Sequence, residues 1–324
     1  MINIISESFR NTTIRGPHKV VHNLVKGLER MGYPYVINKD LNCCKRLWIH
    51  DDVAALYALK QIRKDAGIIV GPNLFVNPEN IPRSINLLRT VYVQPSEIVK
   101  NVWRARGYTA SPMEVWPVGI DTEEYKTSDG HKDVILVYFK NRKQEDLHHV
   151  TDLLSRKGMP YEIMRYGSYN EAEYKNALQK ARFMVWVGGY ESQGIALQEA
   201  LSCGVPVLVI DKAVSDTRFD KESTAAPYFD ARCGIVVKGI ESFGESLDRM
   251  IVKEKTFSPR QFVLDNLELV SQTRVFLELY EKHFGYSVED GFLESVFPCK
   301  DYHRNILRKI EAKLYATFTH HKGN

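Results

Sequence analysis

The chain has 324 residues, of which 44% are hydrophobic and 26% charged, which is typical of a globular protein with room for two domains of ordinary size. Its formal net charge of +4 is too small to indicate a nucleic-acid-binding protein by itself. The longest apolar runs are far shorter than the roughly 20 residues that a membrane-spanning helix needs, so no membrane span is expected.

The first residues, MINIISESF, lack the basic flank and the long apolar stretch of a signal peptide, and they predict a buried strand. The five cysteines are scattered and show no CxxC spacing, which favours reduced, unpaired thiols and gives no reason to expect a structural zinc site. We therefore expect a cytoplasmic protein.

The first half of the chain alternates short β-branched runs with helical patterns. After the strand NIIS, the segment GPHKVVHNLVKGLERMG repeats apolar residues at helical spacing, with Pro17 suited to the first helical position and Gly32 to the end. Two further helical patterns are DVAALYALKQIRKDAG and SEIVKNVWRARG, and the further strand candidates are YPYVI, RLWIH, GIIVG, TVYVQ and MEVWPV. This βαβ alternation predicts a mostly parallel sheet in an N-terminal domain at residues 1–126.

A polar segment at residues 126–133, KTSDGHKD, lacks apolar periodicity and predicts a linker. The alternation then restarts with strand candidates VILVYF, YEIMRYG, FMVWV, VPVLVI and GIVVK, and with helical patterns that include residues 143–157 and 170–181. These elements predict a second doubly wound domain at residues 132–258. A long helical pattern from Pro259 to about His283 opens a C-terminal helical region at residues 259–324. The expected fold class is α/β, with two parallel sheets.

The segment GGYESQGIALQEALSCGVPVLVI, residues 188–210, follows the strand FMVWV. In open α/β sheets, ligands bind beyond the carboxyl ends of the strands, where helix N-termini favour anions such as phosphate. The glycines of this segment allow close backbone approach, although the same glycines also suit a tight turn that binds nothing.

Two acids in this segment, Glu191 and Glu199, are unfavourable beside a phosphate but accept hydrogen bonds from sugar hydroxyls. Phosphate and hydroxyl groups together indicate a nucleotide sugar. Taken singly, Glu191 also suits a helix-dipole partner and Glu199 a solvated helix face.

The residues ESQGIALQEALSCGVPV resemble the E-x7-E signature of retaining glycosyltransferases of the GT-B fold, most closely glycosyltransferase family 4. The spacing of the two acids matches, and so do the following residues, Ala200 through Val207. Three earlier segments are similar to the family's in the expected order, namely GPHKVVHNLVKGLERMGYPYVI, VQPSEIVKNVWRARGY and VWPVGIDTEEY. The resemblance covers residues 1–285 and implies two Rossmann-like domains facing a cleft, with the donor mainly on the second and the acceptor on the first.

The resemblance implies a role for each acid. Glu199 would bind the ribose hydroxyls of the nucleotide, and Glu191 would contact the transferred sugar. The backbone amides of Gly194 and Ile195 would bind the diphosphate. The same donor-binding loop also contains Ser192 and Gln193.

Basic residues after the first strand of the second domain would complete the diphosphate site. The sequence offers Lys140, Arg142 and Lys143, of which Lys140 fits best. Cations there would stabilise the charge that grows on the departing nucleoside diphosphate. Three basic residues after a strand also suit a solvated turn that binds nothing.

Two residues of the first domain correspond to family positions near the donor. His50, at the end of RLWIH, matches a histidine near the transferred sugar, although a lone histidine equally suits a structural role. Gly16 lies in the first loop, where the family has two adjacent glycines, but the following Pro17 removes an amide donor. The short first domain leaves open whether acceptor-binding insertions are missing, the acceptor is small, or another chain helps to bind it.

We predict a metal-independent hexosyltransferase without a cofactor, because Asp51 and Asp52 fall at a helix start and form no metal-binding DxD loop. It would move a sugar from a UDP- or GDP-sugar to a hydroxyl group of a glycan or related acceptor, and retention of the anomeric configuration is implied by the resemblance alone. The alternative is a noncatalytic nucleotide-sugar- or glycan-binding protein on the same fold. A same-fold epimerase lacks identifiable groups for its chemistry. No nucleic-acid partner is expected.

The tail at residues 300–322 lies outside the resemblance and carries six Lys/Arg residues against Asp301 and Glu311. Ile306, Ile310 and Leu314 form one apolar stripe in a helical pattern. We expect this stripe to pack on the first domain. The alternative is contact with an anionic membrane surface, which would make the protein membrane-associated.

Overall fold

The computed structural model of the protein describes residues 1–10, 15–212, 223–294 and 299–301. These residues form two compact units, the first from the described residues of Met1–Val118 and Val270–Asn324, and the second from those of Gly119–Leu269. The polar segment and the helical pattern of the sequence predict boundaries at residues 126–132 and at 259, which stay predictions. The second unit begins at Gly119 and ends at Leu269, and Ile120 and Tyr125 are buried in its hydrophobic core.

The first unit contains six strands: β1 (Ile2–Ile5), β2 (Tyr35–Ile37), β3 (Arg46–Ile49), β4 (Gly67–Val70), β5 (Thr90–Gln94) and β6 (Met113–Val115). They form one sheet in the order β2-β1-β3-β4-β5-β6, and every neighbouring pair is parallel. The parallel sheet predicted from the βαβ alternation is confirmed. Three helices accompany these strands, namely α1 (Gly16–Met31), α2 (Val53–Leu56) and α3 (Glu97–Ala105).

The pattern DVAALYALKQIRKDAG does not form the long helix that its apolar spacing predicts. The segment forms only the single turn α2 and a 3-10 turn at Leu59–Gln61. Leu56, Leu59 and Ile62 are nevertheless all buried. Apolar spacing predicts which residues are buried in the core. Two short turns can bury those residues as well as one long helix can.

The second unit contains five strands: β7 (Val134–Lys140), β8 (Tyr161–Arg165), β9 (Ala181–Gly188), β10 (Val207–Asp211) and β11 (Gly234–Lys238). They form a wholly parallel sheet in the order β11-β10-β9-β7-β8, as the restarted alternation predicts. Its helices are α4 (Gln144–Arg156), α5 (Glu171–Lys180), α6 (Ile195–Ser202), α7 (Phe243–Lys253) and α8 (Pro259–Asn266).

The central strands β7, β9 and β10 of this second sheet are buried on both faces, as is usual for a parallel sheet covered by helices. Tyr138 and Trp186 point to the face that packs against α5, α6 and α8, while the alternate residues Val137 and Val185 point to the face that α4 and α7 cover. Because side chains alternate along a strand, Lys140 shares the face of Tyr138. The β7 lysine therefore lies on the α6 side of the sheet.

The long helical pattern after Pro259 is interrupted. Helix α8 ends at Asn266, and α9 (Leu269–Phe284) begins after Glu268 forms a parallel β-bridge with Ile120. The extended bridge prevents a continuous helix. Helix α9 and the short α10 (Val288–Leu293) complete the chain's helices within the described residues.

The C-terminal helices pack within the first unit. The Trp116 indole Nε1 donates a hydrogen bond to the Gln272 carbonyl oxygen at 2.8 Å, and the ring of Phe276 packs against Trp48 and Trp116. The apolar stripe Ile306, Ile310 and Leu314 lies outside the described residues. No helix within the described ranges has both the length and the apolar character to cross a membrane.

A disulfide joins Cys43 to Cys299, with 6.0 Å between the two Cα atoms. The expectation of five unpaired thiols is therefore wrong for these two residues, because their pairing joins positions 256 residues apart that no local spacing could reveal. Beside the disulfide, Lys39 and Asp301 form an antiparallel bridge and an ion pair at 2.6 Å. The other cysteines, Cys44, Cys203 and Cys233, are buried free thiols.

Candidate functional site in the second unit

The candidate site begins where neighbouring strands end at the same edge of the second sheet. Strand β7 ends at Lys140, which is paired in register with Gly188 at the end of β9, and β10 ends at Asp211. Carboxyl ends of parallel strands are the usual ligand-binding edge of an open α/β sheet. The loop from β9 to α6 starts at this edge.

Two glycines of this loop are required by the local structure. Gly194 has φ of 83°, in the left-handed region, and it caps the N-terminus of α6. A Cβ atom at Gly188 would lie 2.1 Å from the Trp186 indole nitrogen. The Trp186 ring cannot easily move away because it stacks on Tyr138 with 4.4 Å between the ring centres.

Lys140 and Glu191 come together as an ion pair on the α6 side of the sheet. Lys140 Nζ lies 2.6 Å from Glu191 Oε1, and the two side chains are 17% and 8% exposed. The same ammonium lies 4.4 Å from the centre of the Tyr166 ring. Burial raises the pKa of Glu191 above the ordinary glutamate value, and the Lys140 ammonium opposes that shift.

The main chain at Glu191 is bonded to a segment that follows β10 along the chain. The Glu191 backbone N–H donates to the Thr224 carbonyl oxygen at 3.1 Å. The Thr224 hydroxyl donates to Asp211 Oδ2 at 2.9 Å, and the Ala225 backbone N–H donates to Asp211 Oδ1 at 2.9 Å. No local sequence pattern predicts Asp211 and Thr224 as site residues, because contacts between residues this far apart depend on the tertiary fold.

Glu199 lies in α6 and is 2% exposed, so the interpretation as a solvated helix face is wrong. Three buried tyrosines, Tyr125, Tyr138 and Tyr174, lie close enough to Glu199 to be affected by its charge. Burial raises the pKa of each of these phenols, and the charge of Glu199 adds to the shift. An acid in such surroundings is positioned to accept hydrogen bonds from hydroxyl groups.

The start of α6 is held by two glutamines. Gln193 Nε2 donates to Gln198 Oε1, and Gln198 Nε2 donates back to the Gln193 carbonyl oxygen, both at 3.0 Å. Both glutamines are buried, whereas Ser192 is exposed. The loop therefore has a fixed entry into the helix beside one exposed hydroxyl.

The fold of the chain is similar to several solved structures. Sucrose-phosphate synthase from Thermosynechococcus elongatus aligns over 88% of this chain and 99% of its own, at 11% sequence identity and a TM-score of 0.57. The protein has the GT-B fold. Two further GT-B structures agree. Anabaena HepE in complex with UDP and glucose aligns over 87% of this chain and 99% of its own, at 10% identity and a TM-score of 0.57. The lipopolysaccharide outer core galactosyltransferase WaaB has the same coverage and TM-score at 13% identity.

No family model matches the sequence, and no curated protein matches it either. At identities of 10 to 13%, the structural similarity establishes the GT-B fold alone. The activity must be argued from the residues of the site.

The other predicted basic residues have different surroundings on this GT-B sheet. Arg142 bonds within the unit: its Nε donates to Asp146 at 2.8 Å, and its Nη1 donates to the carbonyl oxygens of Gly188 and Ile210. These bonds connect the ends of β9 and β10 through the Arg142 side chain. Lys143 is exposed just before α4 and is therefore more accessible to a ligand than Arg142. Donor contacts by Arg142 and Lys143 stay predictions.

Two predicted residues lie in the first GT-B unit. His50 is fully buried; its Nε2 is 2.8 Å from Asn73 Nδ2, and its Nδ1 is 3.3 Å from the Ser6 hydroxyl. Its Nδ1 also lies 3.5 Å from the Asp51 carboxylate. Both ring nitrogens thus have partners inside the unit, as in a structural histidine. A role for His50 in the reaction stays a prediction.

Gly16 is the first residue of α1, and a Cβ atom there would meet none of the described residues within 4 Å. Crowding by those residues therefore does not explain the glycine. Asp52 accepts a hydrogen bond from the Ala55 backbone N–H at the start of α2, as predicted for an N-cap residue. Among the described residues, no group of three or more His, Cys, Asp or Glu side chains is arranged to hold a metal ion.

Proposed function

We propose that the protein is a retaining glycosyltransferase that moves a sugar from a UDP- or GDP-sugar to a hydroxyl group of a glycan or related acceptor. The observation that carries the proposal is the buried ion pair of Lys140 and Glu191 at the carboxyl edge of the second sheet, beside the N-terminus of α6. A cation, a buried acid and a helix N-terminus at one point suit a ligand that has both phosphate and hydroxyl groups.

Lys140 would bind the diphosphate of the donor. Without a donor, its ammonium is neutralised by Glu191. An incoming diphosphate competes for the ammonium and leaves the Glu191 carboxylate available to accept hydrogen bonds from the sugar. As the bond to the sugar breaks, Lys140 and the amides of Gly194 and Ile195 would stabilise the negative charge of the departing nucleoside diphosphate. These groups can supply that charge stabilisation without a metal ion, so we propose metal-independent transfer.

Glu199 would accept hydrogen bonds from the ribose hydroxyls. It lies in α6, two helical turns beyond Glu191 in sequence, and it is buried. Two similar structures support the assignment of ligand classes. Anabaena HepE has been solved with UDP-glucose, and Staphylococcus aureus TarM with fondaparinux, alpha-GlcNAc-glycerol and UDP. Both are GT-B proteins, and each was solved with UDP or a UDP-sugar.

The first experiment is a thermal-shift screen of UDP, GDP and their sugars with the purified protein. A ligand at 100 times its Kd adds about 2.7 kcal/mol to the free energy of unfolding and raises Tm accordingly. The ligand that binds is then supplied as donor with a panel of glycan acceptors, with and without EDTA. We expect release of the nucleoside diphosphate and glycosylated product in both conditions.

The matched variants are Glu191→Gln in the site and Glu162→Gln at an exposed position in β8. Only Glu191→Gln should lower kcat strongly, to a residual rate that can still be measured. Binding of a nucleotide without turnover on any acceptor would contradict the proposal and favour a noncatalytic nucleotide-sugar-binding protein. Loss of activity with EDTA would contradict metal independence alone.

A further inference from the structure

Glu191 lies in a loop without regular secondary structure, and its backbone needs an anchor outside that loop. Strand β9 ends at Gly188 and α6 begins at Ile195, so the residues between them belong to neither element. The Glu191 backbone N–H donates to the Thr224 carbonyl oxygen at 3.1 Å. The position of the acid therefore depends on the position of Thr224.

Thr224 is itself part of an irregular segment, and its hydroxyl is used twice. It donates to Asp211 Oδ2 at 2.9 Å and accepts from the Ala226 backbone N–H at 3.2 Å. The neighbouring Ala225 N–H donates to Asp211 Oδ1 at 2.9 Å. One carboxylate thus holds the segment through a side chain and through the main chain.

Asp211 is a rigid anchor because it ends β10 and is 1% exposed. Its carboxylate also receives bonds from the Lys212 backbone N–H at 2.9 Å and from the Lys238 ammonium of β11. Burial alone would raise the pKa of Asp211, but the bonds from Lys238, Ala225 and Thr224 lower it below its ordinary value. Asp211 therefore stays ionised, and both of its carboxylate oxygens accept hydrogen bonds.

From these contacts we propose that Asp211 is a positioning residue for Glu191 and acts through Thr224. This inference rests on the proposed role of Glu191 at the transferred sugar. The connection runs from the end of β10, through the Thr224 hydroxyl and then its carbonyl oxygen, to the backbone N–H of Glu191. This chain of hydrogen bonds, which starts at the end of β10, holds Glu191 against Lys140. Neither Asp211 nor Thr224 needs to touch the substrate. Misplacement of a reacting group by about 1 Å can reduce a rate 100-fold.

The test removes the hydroxyl and leaves in place the carbonyl oxygen that contacts Glu191. In Thr224→Val, kcat for sugar transfer should fall at least about tenfold, whereas KM for the donor and the calorimetric Kd for UDP should stay within about twofold. Thr224→Ser, which restores the hydroxyl, should recover most of kcat. Thr151→Val is the matched control, because within the described ranges the Thr151 hydroxyl bonds only to the carbonyl oxygens of Leu147 and His148 in its own helix α4.

Two further measurements separate positioning from a general loss of structure. Thr224→Val should have no additional effect on kcat when Glu191 is already Gln, because residues that act as a unit are not additive. Hydrogen exchange of the Glu191 amide should accelerate in Thr224→Val and in Asp211→Asn, while exchange in β7 and β9 is unchanged. Wild-type kcat in Thr224→Val, or an equal loss in the Glu191→Gln background, would overturn the proposal.

The exchange measurement keeps this inference distinct from the proposed function. If the wild-type protein transfers no sugar, the proposed function fails, and amide exchange at Glu191 still decides whether Asp211 and Thr224 hold its backbone. Unchanged exchange in both variants would overturn the connection whatever the activity of the protein.

Discussion

Lys140 Nζ lies 2.6 Å from Glu191 Oε1, and both side chains are largely buried. A buried ion pair seldom makes a protein more stable than apolar side chains of similar volume would, because removing two charges from water costs several kcal/mol. The pair is therefore better explained by a ligand than by stability. The proposed donor is such a ligand. Its diphosphate would replace Glu191 as the partner of Lys140 and keep the buried cation paired.

The first prediction concerns the pH dependence of stability. Because burial raises the pKa of Glu191, the folded protein holds this proton to a higher pH than the unfolded chain does. The contribution to the free energy of unfolding is fully present below the unfolded pKa of 4.5 and is lost as the pH rises through the folded pKa. Glu191→Gln cannot ionise, so its stability relative to wild type should increase as the pH rises.

Urea unfolding of the two proteins between about pH 4 and pH 7.5 measures this difference. The exposed Glu162→Gln provides the comparison, and its difference from wild type should be nearly constant over the same range. A constant difference for Glu191→Gln as well would show that burial does not raise the pKa of Glu191.

The second prediction separates the two acids of the E-x7-E segment. Glu199→Gln removes a charged hydrogen-bond acceptor for ribose, so UDP binding should weaken about 10- to 100-fold, equivalent to about 1.5–3 kcal/mol. Glu191→Gln releases Lys140 from its partner, so UDP should bind equally well or more tightly while kcat falls. Titration calorimetry with UDP and a turnover assay on each variant measure the two effects. Weak UDP binding by Glu191→Gln with wild-type binding by Glu199→Gln would reverse the assignment.

The strands and the main acids of the site were predictable because their signals are local. Short β-branched runs bounded by turns mark every strand of both sheets, and the spacing of Glu191 and Glu199 marks a loop and a helix after a strand. The fold class follows from the order of these elements. The sequence thus predicts the sheets and locates the loop that carries the acids.

Pairs that depend on topology could not be predicted in the same way. Asp211 and Thr224 are 13 residues apart, with no spacing rule that connects them, and their relation to Glu191 appears only when β10 lies beside β9. The disulfide of Cys43 and Cys299 spans 256 residues. Local periodicity reports burial and element type, whereas these contacts are set by how the strands are ordered in space.

The third prediction concerns the glycine at the end of β9. In Gly188→Ala the new methyl group would lie 2.1 Å from Trp186 Nε1, and the stacked Trp186 and Tyr138 rings would have to shift. Overpacking of this kind should lower the free energy of unfolding by about 1–3 kcal/mol. Gly16→Ala is the control, because its Cβ would meet no atom of the described part of the chain within 4 Å and its φ is not in the left-handed region. Denaturant unfolding compares the two variants, and equal stability for both would contradict the crowding at Gly188.

The fourth prediction concerns the disulfide that ties the C-terminal segment to the first unit. Cys43 and Cys299 close a loop with a sequence separation of 256 residues, and the neighbouring ion pair of Lys39 and Asp301 joins the same two segments. Reduction enlarges the conformational freedom of the unfolded chain and should lower the free energy of unfolding by about 2–4 kcal/mol. Dithiothreitol should therefore lower the Tm of the wild-type protein.

Cys43→Ser is the internal control for this experiment, because it has no disulfide to lose at this position and its Tm should not respond to dithiothreitol. Thiol titration gives an independent count: the denatured, unreduced wild-type protein should show the three free cysteines Cys44, Cys203 and Cys233, and the reduced protein all five. Five reactive thiols before reduction, with a Tm that dithiothreitol leaves unchanged, would show that the bond does not form in solution. The sequence-based expectation of reduced cysteines would then hold for the whole chain, and the C-terminal segment would be held by its hydrogen bonds and ion pairs alone.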